Sequence, residues 1–304
     1  DHLDSWISER GSREWGEVAR GPVHYERLYL NDVDPRDLLV VENGHITQLG
    51  DAGGLLPGLG EDVPVEDYSG KLIVPGLIDC HVHCPQVDII ASYGEQLLDW
   101  LNRYAYPAEM QFADEEHARD VADFFLDELL RNGTTTAAVF ATVHPHSADT
   151  LFAAAAARNM RLVGGKVLMD EHCPEALRDD PASGYEDSKA LIEKWHGKGR
   201  LGYAITPRFA LTSSPAQLSA AGRLAAEHPE VWVHTHLAEN REEVDEIARL
   251  FPDHRSYLDV YDGFGLLRER SVFAHCLHMD DTDRSTMAAK RGAAAFCPTS
   301  NLFL

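Results

Sequence analysis

Apolar residues between Asp114 and Asn132 recur every three or four positions, at Ala118, Val121, Ala122, Phe125, Leu126 and Leu129, and Asn132-Gly133 closes the run. This spacing predicts an amphipathic helix with a C-terminal stop signal. Short apolar runs alternate with helical stretches on either side. Leu72 to Ile78 leads into a first buried strand that ends near His83, and Thr134 to Phe140 is the second. Leu162–Met169, Leu201–Thr206, Val231–Leu237, Val272–Leu277 and Ala293–Pro298 follow as strands three to seven. The helices between them are expected at Ser147–Asn159, opened by a Ser cap, then Tyr185–Trp195, Pro215–Glu227, Arg241–Leu250 and Asp283–Arg291. Repeated β-α units at this length predict a (β/α)₈ barrel of the TIM type with its last strand missing from the count. A doubly wound open sheet is the alternative. No G-x-G-x-x-G follows an early strand, which weakens a dinucleotide-binding version of that sheet.

Ahead of the barrel the pattern differs. Leu38-Leu39-Val40-Val41, then Asn43-Gly44, then Ile46 to Leu49 reads as strand, turn and strand, because Asn and Gly both tolerate positive φ. Residues 51–62 are rich in Gly and Pro and read as a loop. The expected organisation is a tail over 1–20, a small β-rich domain over 21–72, and a barrel domain over 73–304.

Charge narrows the partners. With 27 basic and 50 acidic side chains the net charge is -23, a surface that repels phosphate backbones and anionic membranes. Neither nucleic acid nor a membrane is therefore expected as a partner. The opening residues show no basic segment followed by an apolar one, so no secretory signal is expected. Five Cys point to a reducing, cytoplasmic setting, and sixteen His make imidazole the ligand to look for.

Barrel enzymes carry their chemistry at the C-terminal ends of the strands. Strand one ends in His81-Val82-His83, whose alternation turns both imidazoles to one face and Cys80 and Cys84 to the other. Strand four ends in Pro207-Arg208-Phe209, a cation and an aromatic able to face a planar ligand; Arg208 as a surface ion-pair partner is the plainer reading. Strand five ends in His234-Thr235-His236-Leu237-Ala238-Glu239. His236 is favoured over His234 as a metal ligand because Glu239 lies three residues on, where a carboxylate could carry protons between water and a substrate nitrogen. Strand six is expected to carry His275 and His278, and strand seven to end in Ser300-Asn301. His144, His146, His172, His196 and His228 read as loop or helix-end positions, and Glu242-Glu243 with Asp245-Glu246 as a solvated helix face.

Pro75-Gly76-Leu77-Ile78-Asp79-Cys80-His81-Val82-His83 resembles the P-G-[FLI]-[IV]-D-x-H-x-H signature of the metal-dependent amidohydrolase superfamily. Pro85-Gln86, Tyr93-Gly94-Glu95-Gln96-Leu97-Leu98, Arg131-Asn132-Gly133-Thr134-Thr135-Thr136, Thr206-Pro207-Arg208-Phe209, His234 to Asn240 and Phe296-Cys297-Pro298-Thr299-Ser300-Asn301 are similar to blocks of its guanine deaminase family. The resemblance runs from about residue 70 to the end. It implies a zinc ion held by His81, His83 and His236, a proton shuttle at Glu239, and a further active-site imidazole at His275. It also implies purine contacts from Gln86, Arg208 and Phe209, with guanine as substrate in a homodimer. By the same resemblance a further metal-binding Asp belongs at the end of an eighth strand, beyond Leu304. A related amidohydrolase acting on another purine, a triazine or a pyrimidine is the alternative activity, and an inactive fragment lacking that Asp is the other.

Overall fold

The computed structural model describes residues 37–68, 71, 73–92 and 96–303. The expected tail over 1–20, the start of the small β domain and the first three residues of the Tyr93 to Leu98 block lie outside those residues. The chain divides into two compact units, Asp1–Gly76 and Leu77–Leu304.

In the first unit, β1 (Asp37–Glu42) and β2 (His45–Asp51) pair antiparallel, with Glu42 opposite His45. Asn43 and Gly44 form the turn at φ 53° and 78°. Two successive positive φ values match the right-handed twist of a two-residue hairpin, which is why Asn-Gly occupies it. The expected loop over 51–62 contains a short helix, α1 (Ala52–Leu55), and a 3₁₀ turn, Leu56–Gly58. The Asp51 carboxylate accepts from the Gly54 N–H at 2.9 Å and caps the turn, offsetting the low helix propensity of two glycines.

The second unit holds the parallel strands β3 (Leu77–His83), β4 (Thr134–Phe140), β5 (Arg161–Gly165), β6 (Val167–Leu168), β7 (Leu201–Pro207), β8 (Trp232–Leu237), β9 (Ser271–His275) and β10 (Ala293–Ala295). The hydrogen-bonded order is β10-β9-β8-β7-β5-β4-β3, with β6 also on β7. This order follows the sequence without reversal, so there is no switch point and the doubly wound alternative is excluded. The sheet curls. His81 on β3 and His234 on β8 are four strands apart, about 19 Å in a flat sheet, yet their ring nitrogens meet at 2.9 Å. The outcome is a TIM-type (β/α) barrel, with β3 and β10 as the outer strands of the path.

Strand character follows neighbour count. Every residue of β7 is buried, as expected of a parallel strand covered on both faces. Leu77 and Ile78 of β3 remain 52% and 67% exposed, because β3 pairs only with β4 among the described residues. This corrects the expectation of a fully buried first strand. The third predicted strand is broken at Lys166 into β5 and β6. Just before the break, a Cβ on Gly165 would stand 2.0 Å from the Ala204 oxygen, so only glycine lets the two strands close there.

The helices are α2 (Leu97–Trp100), α3 (Tyr106–Met110), α4 (Glu115–Arg131), α5 (Pro145–Ala157), α6 (Pro181–Trp195), α7 (Pro215–Glu227), α8 (Arg241–Leu250), α9 (Tyr257–Gly263), α10 (Asp281–Ala289) and α11 (Pro298–Phe303). A π-helical turn, Leu101–Ala105, joins α2 to α3. Side-chain caps begin many of them: Asp114, Asp180, Ser214, Ser256 and Asp280 each accept a first-turn N–H. Helix α5 differs from expectation. Its N-cap is His144, with Pro145 in the first turn, and Ser147 is buried inside the helix instead of capping it. Pro at the first position loses no hydrogen bond, so the chain starts there. Helices α2, α3, α9 and α11 were not read from the sequence. Among the described residues no helix is long and apolar enough to cross a membrane.

Candidate metal centre

The C-terminal ends of β3, β8 and β9 bring imidazoles to one place. His83 Nε2 lies 3.2 Å from His81 Nε2 and 3.0 Å from His236 Nε2. Phe140, the fully buried last residue of β4, forms their floor. Its ring centre is 4.8 Å from those of His83 and His236 and 5.3 Å from that of His81. Burial, reinforced by the neighbouring imidazoles or by Arg208, holds His81, His83 and His236 well below the ordinary imidazole range. All three are neutral at pH 7, the form that ligates metals.

The donor set fits a divalent cation. The Arg208 main-chain oxygen accepts from His236 Nδ1 at 2.6 Å, so the neutral ring presents a lone pair at Nε2. His83 Nδ1 is buried without a partner, whereas its Nε2 faces two other ring nitrogens. A neutral imidazole has one N–H, so three converging Nε2 atoms leave lone pairs facing one another. One cation accepts all three. His234 stands behind, its Nε2 2.9 Å from His81 Nδ1, and can orient that ring from its far side.

Glu239 follows directly. Ala238 takes φ +50°, a left-handed bend that costs a non-glycine residue energy and turns the chain out of β8. His275 does the same at the end of β9, at φ +73°. The two side chains meet, with His275 Nε2 3.3 Å from Glu239 Oε1. The Asn301 Oδ1 lies 2.8 Å from His275 Nδ1. With that oxygen as acceptor, His275 Nε2 carries a lone pair toward Glu239. Burial raises Glu239 to about 8, with the nearby Glu243 adding to it. Burial lowers His275 to about 4. Both shifts favour the neutral form of each group.

Arg208 does not lie on the surface. Its side chain is 3% exposed and pairs with Glu109 of α3, itself 0% exposed, Nη1 meeting Oε1 and Oε2 at 2.7 and 2.6 Å. The Arg208 carbon sits 5.2 Å from the Tyr106 ring centre. Phe209 is buried, 6.3 Å from the His236 ring. Gln86 lies in the 3₁₀ turn Cys84–Ile89, three residues past His83, half-buried. Cys84 is buried in that same turn, not on a continued strand face.

Two placements differ from the sequence reading. His278 lies beyond β9, which ends at His275, and Ser300 and Asn301 belong to α11 because β10 stops at Ala295. The acidic run on α8 is not wholly solvated. Glu243 is buried, and its Oε2 accepts from the N–H groups of Glu239 and Asn240 at 2.9 and 3.2 Å, closing a capping box. Its position three residues after Asn240, N-x-x-E, was the available signal. Glu109 and Phe140 carried no such signal. Cys297 also had no signal of its own. Its Sγ falls within 4.8 Å of a nitrogen on His81 and on His275, and burial raises the thiol to about 11.

The amidohydrolase family model matches residues 72–304. Guanine deaminase of Escherichia coli K12 is 50% identical over 267 residues, 88% of this chain and 61% of that protein. Probable guanine deaminase of Deinococcus radiodurans is 44% identical over 240 residues, 79% of this chain and 55% of that protein. The solved E. coli guanine deaminase superposes with a TM-score of 0.87, covering 88% of this chain and 62% of that one. A guanine deaminase from C. acetobutylicum with guanine in its active site gives 0.82 at 30% identity, over 88% and 64%. The chain thus spans about three fifths of the relatives it matches. With a parallel barrel, imidazoles gathered at its strand ends, and a family match over most of its length, this chain belongs to the amidohydrolase family.

Proposed function

We propose that this chain carries the catalytic site of a guanine deaminase, converting guanine and water to xanthine and ammonia. The observation that carries the proposal is the convergence of His81, His83 and His236 beside the buried Glu239–His275 pair. The named guanine deaminases at 50% and 44% identity support the substrate.

His81, His83 and His236 would hold the metal, zinc in this proposal. When bound, such an ion acidifies water, lowering its pKa to about 7, and so makes hydroxide available at neutral pH. Glu239 donates its proton to a ring nitrogen as C2 of the purine is attacked; its carboxylate then takes the proton of the added hydroxyl and passes it to the amino group, which leaves as ammonia. His275 holds Glu239 in place and is the nearest base to receive a proton from it. Arg208 and Gln86 offer hydrogen bonds to the purine edge, and Phe209 an aromatic wall. The further strand and metal-binding Asp implied by the resemblance belong to this reading, as do a cytoplasmic setting and a homodimer.

Loss of guanine absorbance with stoichiometric ammonia release, on the protein supplied with zinc, tests the proposal. The expected result is turnover that His236→Ala abolishes. Undiminished turnover in His236→Ala, or none in a zinc-loaded, folded protein, would overturn it.

A further inference from the structure

Arg208 and Glu109 form a charge pair sealed from solvent, and the way they pair leaves part of the guanidinium free. Both Glu109 oxygens converge on one nitrogen, Nη1. No group among the described residues takes Nη2 or Nε. The guanidinium is also near the reacting groups. Its own main chain holds His236, and its charge acts on His83, His236 and Glu239.

We infer that Glu109 is a specificity-determining positioning residue. It cancels the charge of Arg208, so that the remaining N–H groups read a neutral purine edge and do not recruit an anionic one. A lone buried guanidinium is an anion site, since a carboxylate or urate would replace its missing counter-charge. With a carboxylate already seated on Nη1, the pair is neutral as a whole and an incoming anion meets repulsion from Glu109. A neutral acceptor-bearing heterocycle meets only directional donors. Glu109 acts through Arg208 and need not touch the substrate. Its place on α3, a helix outside the β-α repeat, keeps it in register with the end of β7. The inference rests on the purine reading of the site and names which purines the site refuses.

The test uses urate, an oxopurine that is a monoanion at neutral pH, beside guanine. Urate binding is measured by calorimetry, which needs no turnover, and guanine by steady-state kinetics. Glu109→Gln is expected to tighten urate binding by about tenfold and to raise KM for guanine more than it lowers kcat. Glu109→Asp, which restores the charge, should return both toward the parent values. Unchanged urate affinity in a folded Glu109→Gln protein refutes the inference. Should that variant not fold, the paired replacement Glu109→Leu with Arg208→Met removes both charges. It is expected to bind urate as weakly as the parent while raising KM, and tight urate binding by it refutes the inference. Absence of guanine turnover in the parent would count against the deaminase reading, while the urate titration still decides the role of Glu109.

Discussion

The hydroxyl of Tyr261 donates to the main-chain oxygen of His236 at 2.8 Å, tying helix α9 to the strand that presents a candidate metal ligand. The same phenolic oxygen accepts from the Ala210 N–H at 2.9 Å and lies 3.1 Å from Thr235 Oγ1. One side chain thus satisfies the backbone just past β7 and the end of β8. Tyr261→Phe leaves these buried groups unpaired and is expected to cost about 1–3 kcal/mol. Thermal or urea unfolding measures it, and a loss under about 0.5 kcal/mol would show that water replaces the hydroxyl.

Metal binding is separable from turnover. His83→Ala and His236→Ala each remove one of three converging lone pairs and are expected to lose most bound zinc after equilibrium dialysis. His234→Ala is expected to weaken retention about 10- to 100-fold, because the ring behind a ligand orients it without ligating. Equal metal content in His236→Ala and the parent would contradict the ligand set.

Glu239→Gln keeps the size and removes the transferable proton. The expected loss in kcat is about 10²–10⁴-fold with metal content unchanged. If zinc leaves together with activity, Glu239 serves the metal and not the proton.

Stability should respond to pH through Glu243. Burial raises this carboxyl from 4.5 to about 7 in the folded chain. A raised folded value means the fold prefers the protonated form. The stabilisation is complete below pH 4.5, declines as pH rises, and is lost above 7. For a fully buried group this difference amounts to about 3 kcal/mol. Glu243→Gln keeps one oxygen acceptor for the Glu239 and Asn240 N–H groups and cannot ionise. The parent should therefore lose stability relative to this variant between pH 5 and pH 8, read as the difference in Tm. A constant difference across that range would sink the assignment.

Much of the barrel was written in local pattern. Helices α4, α7 and α8 fell within a residue of their expected bounds, because each combines helical apolar spacing with a clear cap or stop. Strand β4 matched its expected bounds. The H-x-H at the end of β3 and the His-x-x-Glu at the end of β8 were visible because each is a short spacing on one strand. The α2–α3 segment has no helical pattern visible in the sequence, its helix interrupted by a π turn and by Pro107. Helix α9 is too short for its period to stand out. Ser300 and Asn301 were assigned to a strand end, since a three-residue β10 has no length in which alternation can be seen.

By itself, the sequence determined the repeating β-α order and the polar residues at the strand ends, since both are set by neighbours a few positions apart. Only the tertiary structure decided that His81 meets His234 across four strands, that Glu109 pairs with Arg208 from 99 residues away, and that Glu243 is buried. Those relations depend on how the sheet curls and which helix packs over which strand end. No local period encodes a distance between residues that only the curl of the sheet brings together.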